Sequence, residues 1–148
     1  MSLEEFRKKF CIPELVILTT TYWTWSVRTG HCTLGAGVLS LNRLCKTFAE
    51  LTPEETKELS VVFPTIERTL SRSFSNEKIN YLALMMIDEH VHYHVIPRYS
   101  IAKEFAGKLW TDPQWKTGLP DTKNHGEVTA SSPVLQEILL HLKKNLAP

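Results

Sequence analysis

No stretch of this chain reaches the roughly 18 consecutive apolar residues that a membrane-spanning helix needs, so an integral membrane protein of the helical kind is not expected. Paired cysteines are missing too. Cys11, Cys32 and Cys45 are the three cysteines, an odd number without a short pairing motif. They read as free thiols in a reducing compartment and not as a disulfide framework. Charge of one sign is also lacking: 17 Lys and Arg stand against 16 Asp and Glu, a net charge of +1. No basic run is long enough to follow a nucleic-acid backbone, so a polymeric nucleic acid is not an expected partner. Internal repeats and low-complexity segments are absent. The segment from Met1 to Phe10 is charged and amphipathic and does not read as a signal peptide. The expectation is a soluble, cytoplasmic protein.

What is present suits one globular domain over residues 1–148, with 43% hydrophobic and 22% charged residues. Ser2 and Glu5 fit a capping box, predicting a helix over about 3–10 that Pro13 stops. Leu15 to Val27 is rich in Val, Ile, Thr, Tyr and Trp and reads as a strand, followed by a turn at Arg28-Thr29-Gly30. Thr33 to Leu41 is a second strand, in which Gly35 and Gly37 mark a bulge or a close backbone approach. Thr52-Pro53-Glu54-Glu55 opens a helix whose Leu59, Val62, Phe63, Ile66 and Leu70 recur at helical spacing; Pro64 should kink it. Ile79 to Met86 and His90 to Ile96 predict an antiparallel hairpin with Asp88 and Glu89 in a short link. Residues 99–131 read as a long irregular loop, and 132–146 as a last helix opened by Ser132-Pro133.

Half of the six histidines fall within five residues, His90-Val91-His92-Tyr93-His94. Side chains alternate along a strand, so the three imidazoles share one face while Val91, Tyr93 and Val95 take the other. Clustered imidazoles oppose one another's protonation. At least one should stay neutral near pH 7, with a lone pair free for nucleophilic attack or proton transfer.

The run from His90 to Ile96, followed by Pro97-Arg98, resembles the signature of the histidine-triad family. Lys78-Ile79-Asn80-Tyr81 resembles the step before the triad in one bacterial branch, of the diadenosine polyphosphate hydrolase type. Leu34-Gly35 to Arg43 and Glu50 to Glu55 resemble the family's glycine turn, strand and helix start. The resemblance implies an α+β fold with a small antiparallel sheet of about five strands and flanking helices on one side, commonly as a homodimer. It implies hydrolysis or transfer of nucleotidyl groups: His92 attacks the phosphorus that carries the nucleoside, forming a covalent nucleotidyl-histidine that water cleaves. His94 would bond the phosphate oxygens and help the leaving group, and His90 would orient its neighbours. This route needs no metal and no cofactor. Its substrate would be a small nucleotide: a dinucleoside polyphosphate, a nucleoside phosphoramidate or a mixed adenylate.

The chain departs from the family at several places. Met86 and Ile87 stand where many members carry Gln and Ser, and Ala36 where many carry a fourth histidine. Arg28 aligns with a ribose-binding Asn or Asp, and could instead meet a phosphate as a planar fork. These departures allow a second reading, a nucleotide-binding module with little or no catalysis.

Several residues carry more than one meaning by type and position. Three alternating imidazoles with Asp88 could hold zinc. Asn80 could bind substrate or satisfy hairpin backbone; Arg98 could reach phosphate or be a surface charge. His31 and Cys32 read as a surface turn, His125 and His141 as solvated. Trp23 and Trp25 read as core, whereas Trp110 and Trp115 could close over a ligand or anchor their loop.

Overall fold

Strand β1 is Val16–Thr19, β2 Trp23–Val27, β3 Gly37–Leu41, β4 Lys78–Leu82 and β5 His92–Arg98. They form one sheet in the order β1-β2-β3-β5-β4, every neighbouring pair antiparallel. The computed structural model describes residues 1–121 and 124–146. Residues 122–123, inside the expected loop, and 147–148 lie outside the described part.

The two faces of the sheet are covered differently. Trp23, Trp25, Val27, Leu39, Leu41 and Val95 project to one side. There they meet Leu59, Ile66 and Leu70 of α3, Pro53–Phe74, and Leu135, Ile138 and Leu142 of α4, Pro133–Lys144. Each such leucine or isoleucine contributes about 1.5–3 kcal/mol by leaving water. The opposite face carries a smaller cover. α1, Leu3–Lys9, and α2, Ile12–Leu15, set Phe6 and Ile12 on Val38. Cys32 and Ala36 pack on Ile96 further along. Helices therefore lie on both faces, not on one. The α1 helix begins with the predicted Ser2–Glu5 capping box, and α3 with the Thr52–Glu55 one.

Several expected boundaries move, each for a local physical reason. The first helix ends before Pro13: Cys11 takes a left-handed conformation at φ 50°, and Pro13 sits in the first turn of α2. The predicted strand over 15–27 is a hairpin. Its turn contains no Gly, Pro or Asn, because Glu58 of α3 holds it instead. The Glu58 carboxylate accepts from the Thr20 hydroxyl (2.8 Å) and from the Tyr22 (2.8 Å) and Thr21 (3.2 Å) amides. The Thr33–Leu41 strand shortens to Gly37–Leu41, since Gly35 turns the chain at φ +85°. Gly37 allows β2 and β3 to approach: a Cβ there would lie 2.5 Å from the Ser26 carbonyl oxygen. α3 runs through Pro64 without ending.

The β4–β5 pairing is antiparallel as predicted, but its link is long, spanning 83–91. Met85 at φ 53° takes the chain off the sheet. Val91 then hydrogen-bonds two separate segments, accepting from Leu41 (3.2 Å) and donating to Cys45 (2.7 Å). These bonds lift His90 out of the regular strand.

The segment 99–131 is more ordered than a loop. β6, Lys103–Phe105, and β7, Lys108–Trp110, form a hairpin turned by Ala106 and Gly107 at positive φ. Trp110, 3% exposed, belongs to the core and so anchors this hairpin. Further on, His125 and Val128 donate their amides to His31 (3.0 Å) and Thr29 (3.2 Å). That docking buries His31 and Cys32, which are not a surface turn. His125 bonds the Thr111 backbone and stacks near Trp110; His141 bonds the Ser73 carbonyl (2.9 Å) between Phe74 and Phe105. Neither histidine is simply solvated.

Arg98 fixes the start of this segment. Its Nε and Nη2 donate to Asp112 at 2.7 and 3.0 Å, and its Nη1 donates to Asn80 Oδ1 (2.7 Å) and to the Gly118 carbonyl (3.1 Å). Arg98 is buried, and the Asp112 side chain is nearly so. Removing one partner of such a pair strands the other charge. Arg98→Ala is expected to destabilise the fold by about 3–5 kcal/mol, read as a lower urea midpoint at constant m. A loss below about 1 kcal/mol, the level of an exposed pair, would contradict this role.

Candidate active site

The site is built where β5 begins. His92 and His94 project from the face opposite the main core, as alternation requires. Ser40 and Val38 of β3 lie beside them in register. α1 closes over this face: the Phe6 ring lies 4.7 Å from the His90 ring and 5.0 Å from that of His92, centre to centre, and Phe10 lies 5.8 Å from His92. Lys9 extends the cover by pairing with Asp88 at 2.7 and 2.9 Å. The 4-residue spacing of Phe6 and Phe10 was visible as an apolar stripe, but nothing in it named the histidines as what it covers.

Hydrogen bonds assign the three imidazoles different states. His90 accepts the Cys45 amide at Nδ1 (3.3 Å), so it carries its proton on Nε2 and donates to the Leu41 carbonyl (2.8 Å). Both of its nitrogens are thus used by backbone. His90 is 1% exposed and does not reach solvent. Its own carbonyl faces His92 Nδ1 at 2.5 Å. A carbonyl only accepts, so Nδ1 carries the proton and Nε2 keeps a lone pair. Among the described residues nothing bonds that Nε2. His94 Nδ1 is buried with no partner among them, and its ring stands nearly perpendicular to that of His92, 5.0 Å away.

Burial lowers all three imidazole pKa values, favouring the neutral forms. At His92 the His90 carbonyl and Asp88 push the value back up, while Arg28 and Lys9 push it down. At His94, burial acts together with Arg28 and His92 to bring it down to about 4. The site therefore holds neutral imidazoles at pH 7.

His92 is only 2% exposed, yet it opens into a cavity of about 660 Å³ that it lines with His94, Arg28 and Phe10. Met86 and Ile87 form part of the rim and are 82% and 84% exposed. The structure brings His92, His94 and Arg28 together on this cavity, with His90 behind them. It does not bring Asn80 or Arg98 there. Those two share the face of His94 but sit further along β4 and β5, bonded to each other beyond the Ala36–Ile96 cluster. Asp88, considered as a metal ligand, is taken by Lys9. Among the described residues no three His, Cys, Asp or Glu side chains are grouped to hold a metal ion. Trp23 and Trp25 are core, as expected, and Trp115 is half-buried away from the triad.

The depressed values can be read by proton NMR titration of the imidazole Cε1–H signals. His94 is expected to titrate near about 4, and His90 and His92 below the ordinary value of about 6.5. A His94 midpoint at or above 6.5 would contradict the buried, unpaired setting.

No protein-family model and no curated protein sequence matches the chain. Its fold does match solved structures. A histidine-triad protein from Sinorhizobium meliloti is 21% identical, with 98% of this chain and 96% of that one covered at a TM-score of 0.66. A Hit-like protein involved in cell-cycle regulation from Bartonella henselae is 12% identical, covering 96% and 95% at 0.67. The diadenosine triphosphate hydrolase of Plasmodium falciparum is 21% identical over 59% of this chain and 63% of its own, at 0.54. The protein has the histidine-triad fold, with the His90–His94 motif at the start of β5, between β3 and β4.

Proposed function

We propose that this protein is a hydrolase or nucleotidyl transferase of the histidine-triad type, acting on a small nucleotide. One observation carries the reading: the His90 carbonyl holds the proton of His92 on Nδ1, which leaves the Nε2 lone pair facing an open cavity. A neutral imidazole so oriented is a nucleophile at neutral pH. The diadenosine triphosphate hydrolase activity of the Plasmodium neighbour supports the same class of chemistry.

In the proposed reaction Nε2 of His92 attacks the phosphorus that carries the nucleoside. The N–P bond forms as the bond from phosphorus to the leaving group breaks, and the leaving group departs with that electron pair. It takes its proton from solvent. Water then attacks the nucleotidyl-His92. A P–O bond forms, the P–N bond breaks, and His92 returns to its neutral form after one proton leaves to solvent. His94 offers an N–H donor to the phosphate oxygens, where negative charge is concentrated. Dinucleoside polyphosphates, nucleoside phosphoramidates and mixed adenylates all contain a suitable phosphorus.

A specific observation supports a second reading. Met86 and Ile87, which stand where many family members carry Gln and Ser, are apolar and turned outward at the cavity rim. They give a leaving group no polar help. On this reading the domain binds a nucleotide and turns it over slowly or not at all.

Intact-protein mass spectrometry after mixing with an activated adenylate separates the readings. The hydrolase reading expects an added adenylyl mass on wild type and none on His92→Asn. It also expects turnover to fall by several orders of magnitude in the variant. Asn is the suitable replacement: the His92 ring is almost fully buried, so Ala would leave a void and cost stability of its own. Calorimetric binding of AMP with neither adduct nor product from a broad substrate panel would favour the binder.

A further inference from the structure

Arg28 is the group that nucleophilic chemistry at His92 leaves unaccounted for. It follows β2 directly and donates its backbone amide to the Ala36 carbonyl (3.0 Å). Its side chain lines the same cavity as His92 and His94. Nη1 is buried and makes no hydrogen bond with any described residue. Among the described residues Arg28 makes no salt bridge either. Glu127, on the cavity wall, acts on the Arg28 charge through space, but its carboxylate accepts its hydrogen bond from Thr29 Oγ1 at 3.4 Å. Lys9, the other cation on the cavity, is already neutralised by Asp88.

Arg98 provides the internal contrast. It is a buried guanidinium in the same fold, yet Asp112, Asn80 and Gly118 engage all three of its nitrogens. That is how this protein holds an arginine whose role is structural. Arg28 has no such set. Burial pulls its pKa down, but a guanidinium stays charged at any physiological pH. Glu127 acts on this half-buried charge through space without bonding it, so the buried Nη1 keeps a donor for an anion that enters the cavity.

Register shows which part of a ligand meets it. Ser26 pairs with Val38, and Val38 with His94, so these residues form one row across the sheet. Thr24, Ser40 and His92 form the row before. Arg28 lies one step beyond the His94 row and two beyond that of His92, on the same face. With strands ~4.8 Å apart and ~3.3 Å per residue, its Cα stands ~12 Å from that of His94 and ~16 Å from that of His92. The charge of Arg28 is accordingly the first to act on His94 but follows Asp88 at His92. The backbone of Arg28 is thus anchored two rows away from a phosphorus in contact with His92 Nε2.

We infer that Arg28 forms a second anion subsite, which takes a phosphate group separate from the one attacked by His92, so that the preferred ligand is a nucleotide with two distinct anionic groups. The inference rests on the proposed hydrolase chemistry only in using His92 to mark the attacked phosphorus. The second phosphate has two chemical sources, the ribose of the nucleotide or its polyphosphate chain.

The test is equilibrium binding by calorimetry, which needs no turnover. Wild type is titrated with AMP, ADP, adenosine 2′,5′-bisphosphate and adenosine 3′,5′-bisphosphate. At least one doubly anionic ligand is expected to bind ~10- to 100-fold more tightly than AMP, the scale of a charge-assisted contact. ADP as the winner places the subsite on the polyphosphate chain, and a bisphosphate places it on the ribose. Arg28→Gln is expected to return every ligand to the affinity of AMP. Equal wild-type affinities for all four, or a preference that survives in Arg28→Gln, overturns the inference. A second measurement needs no nucleotide: removing a half-buried cation that no carboxylate of the described residues bonds, in Arg28→Met, should leave Tm unchanged or raise it, whereas a marked fall would overturn the inference by showing that the guanidinium is structurally paired. Absence of an adenylyl adduct would sink the hydrolase reading alone and leave both of these results standing.

Discussion

The site depends on one hydrogen bond, from His92 Nδ1 to the carbonyl of His90 two residues earlier. It decides on which nitrogen the proton sits, and so which nitrogen can react. The carbonyl can serve this way because the chain is not yet a regular strand at His90. Val91 is drawn to Leu41 and Cys45, and the His90 ring is bound to backbone at both nitrogens. Three histidines of identical chemistry thereby acquire three states: one locked into the backbone, one presented with a free lone pair, and one half-buried beside the cavity with its Nδ1 buried and unpaired among the described residues. The ordering follows from geometry and burial, since no carboxylate bonds any of the three rings among the described residues.

The same division runs through the whole sheet. One face is dry and packed by α3 and α4, which holds the strands at fixed spacing. The other is covered lightly by α1 and by the Cys32–Ala36–Ile96 cluster, which leaves room for a cavity between them. The rigid face sets the positions of side chains on the open one. Two arginines, one buried and one half-buried, illustrate the difference. Arg98, clamped by Asp112, ties the β6–β7 segment to the end of β5. Arg28 lies beside the cavity with a nitrogen unmatched.

Much of the frame was legible in the sequence, because it rests on local rules. Capping boxes at Ser2–Glu5 and Thr52–Glu55, apolar spacing along α3 and α4, and alternation around the histidines each act within a few residues. The turn at Thr20–Tyr22 was not legible, since the carboxylate that holds it comes from Glu58. Nor was the position of β5, displaced by bonds to segments some 50 residues away in the chain. His31 sits in what reads as a polar turn, but becomes core once the segment after 124 docks over it.

What the sequence determined by itself is that three imidazoles alternate with apolar residues on one extended segment. Period-two geometry then forces chemistry to one side and packing to the other. Tertiary structure alone decided what surrounds them: α1 above His92, Arg28 alongside His94, and Asn80 with Arg98 turned to bracing a distant loop. The reason is that alternation is written in neighbouring residues. Burial, proton placement and charge pairing depend on groups that only folding brings within a few ångströms.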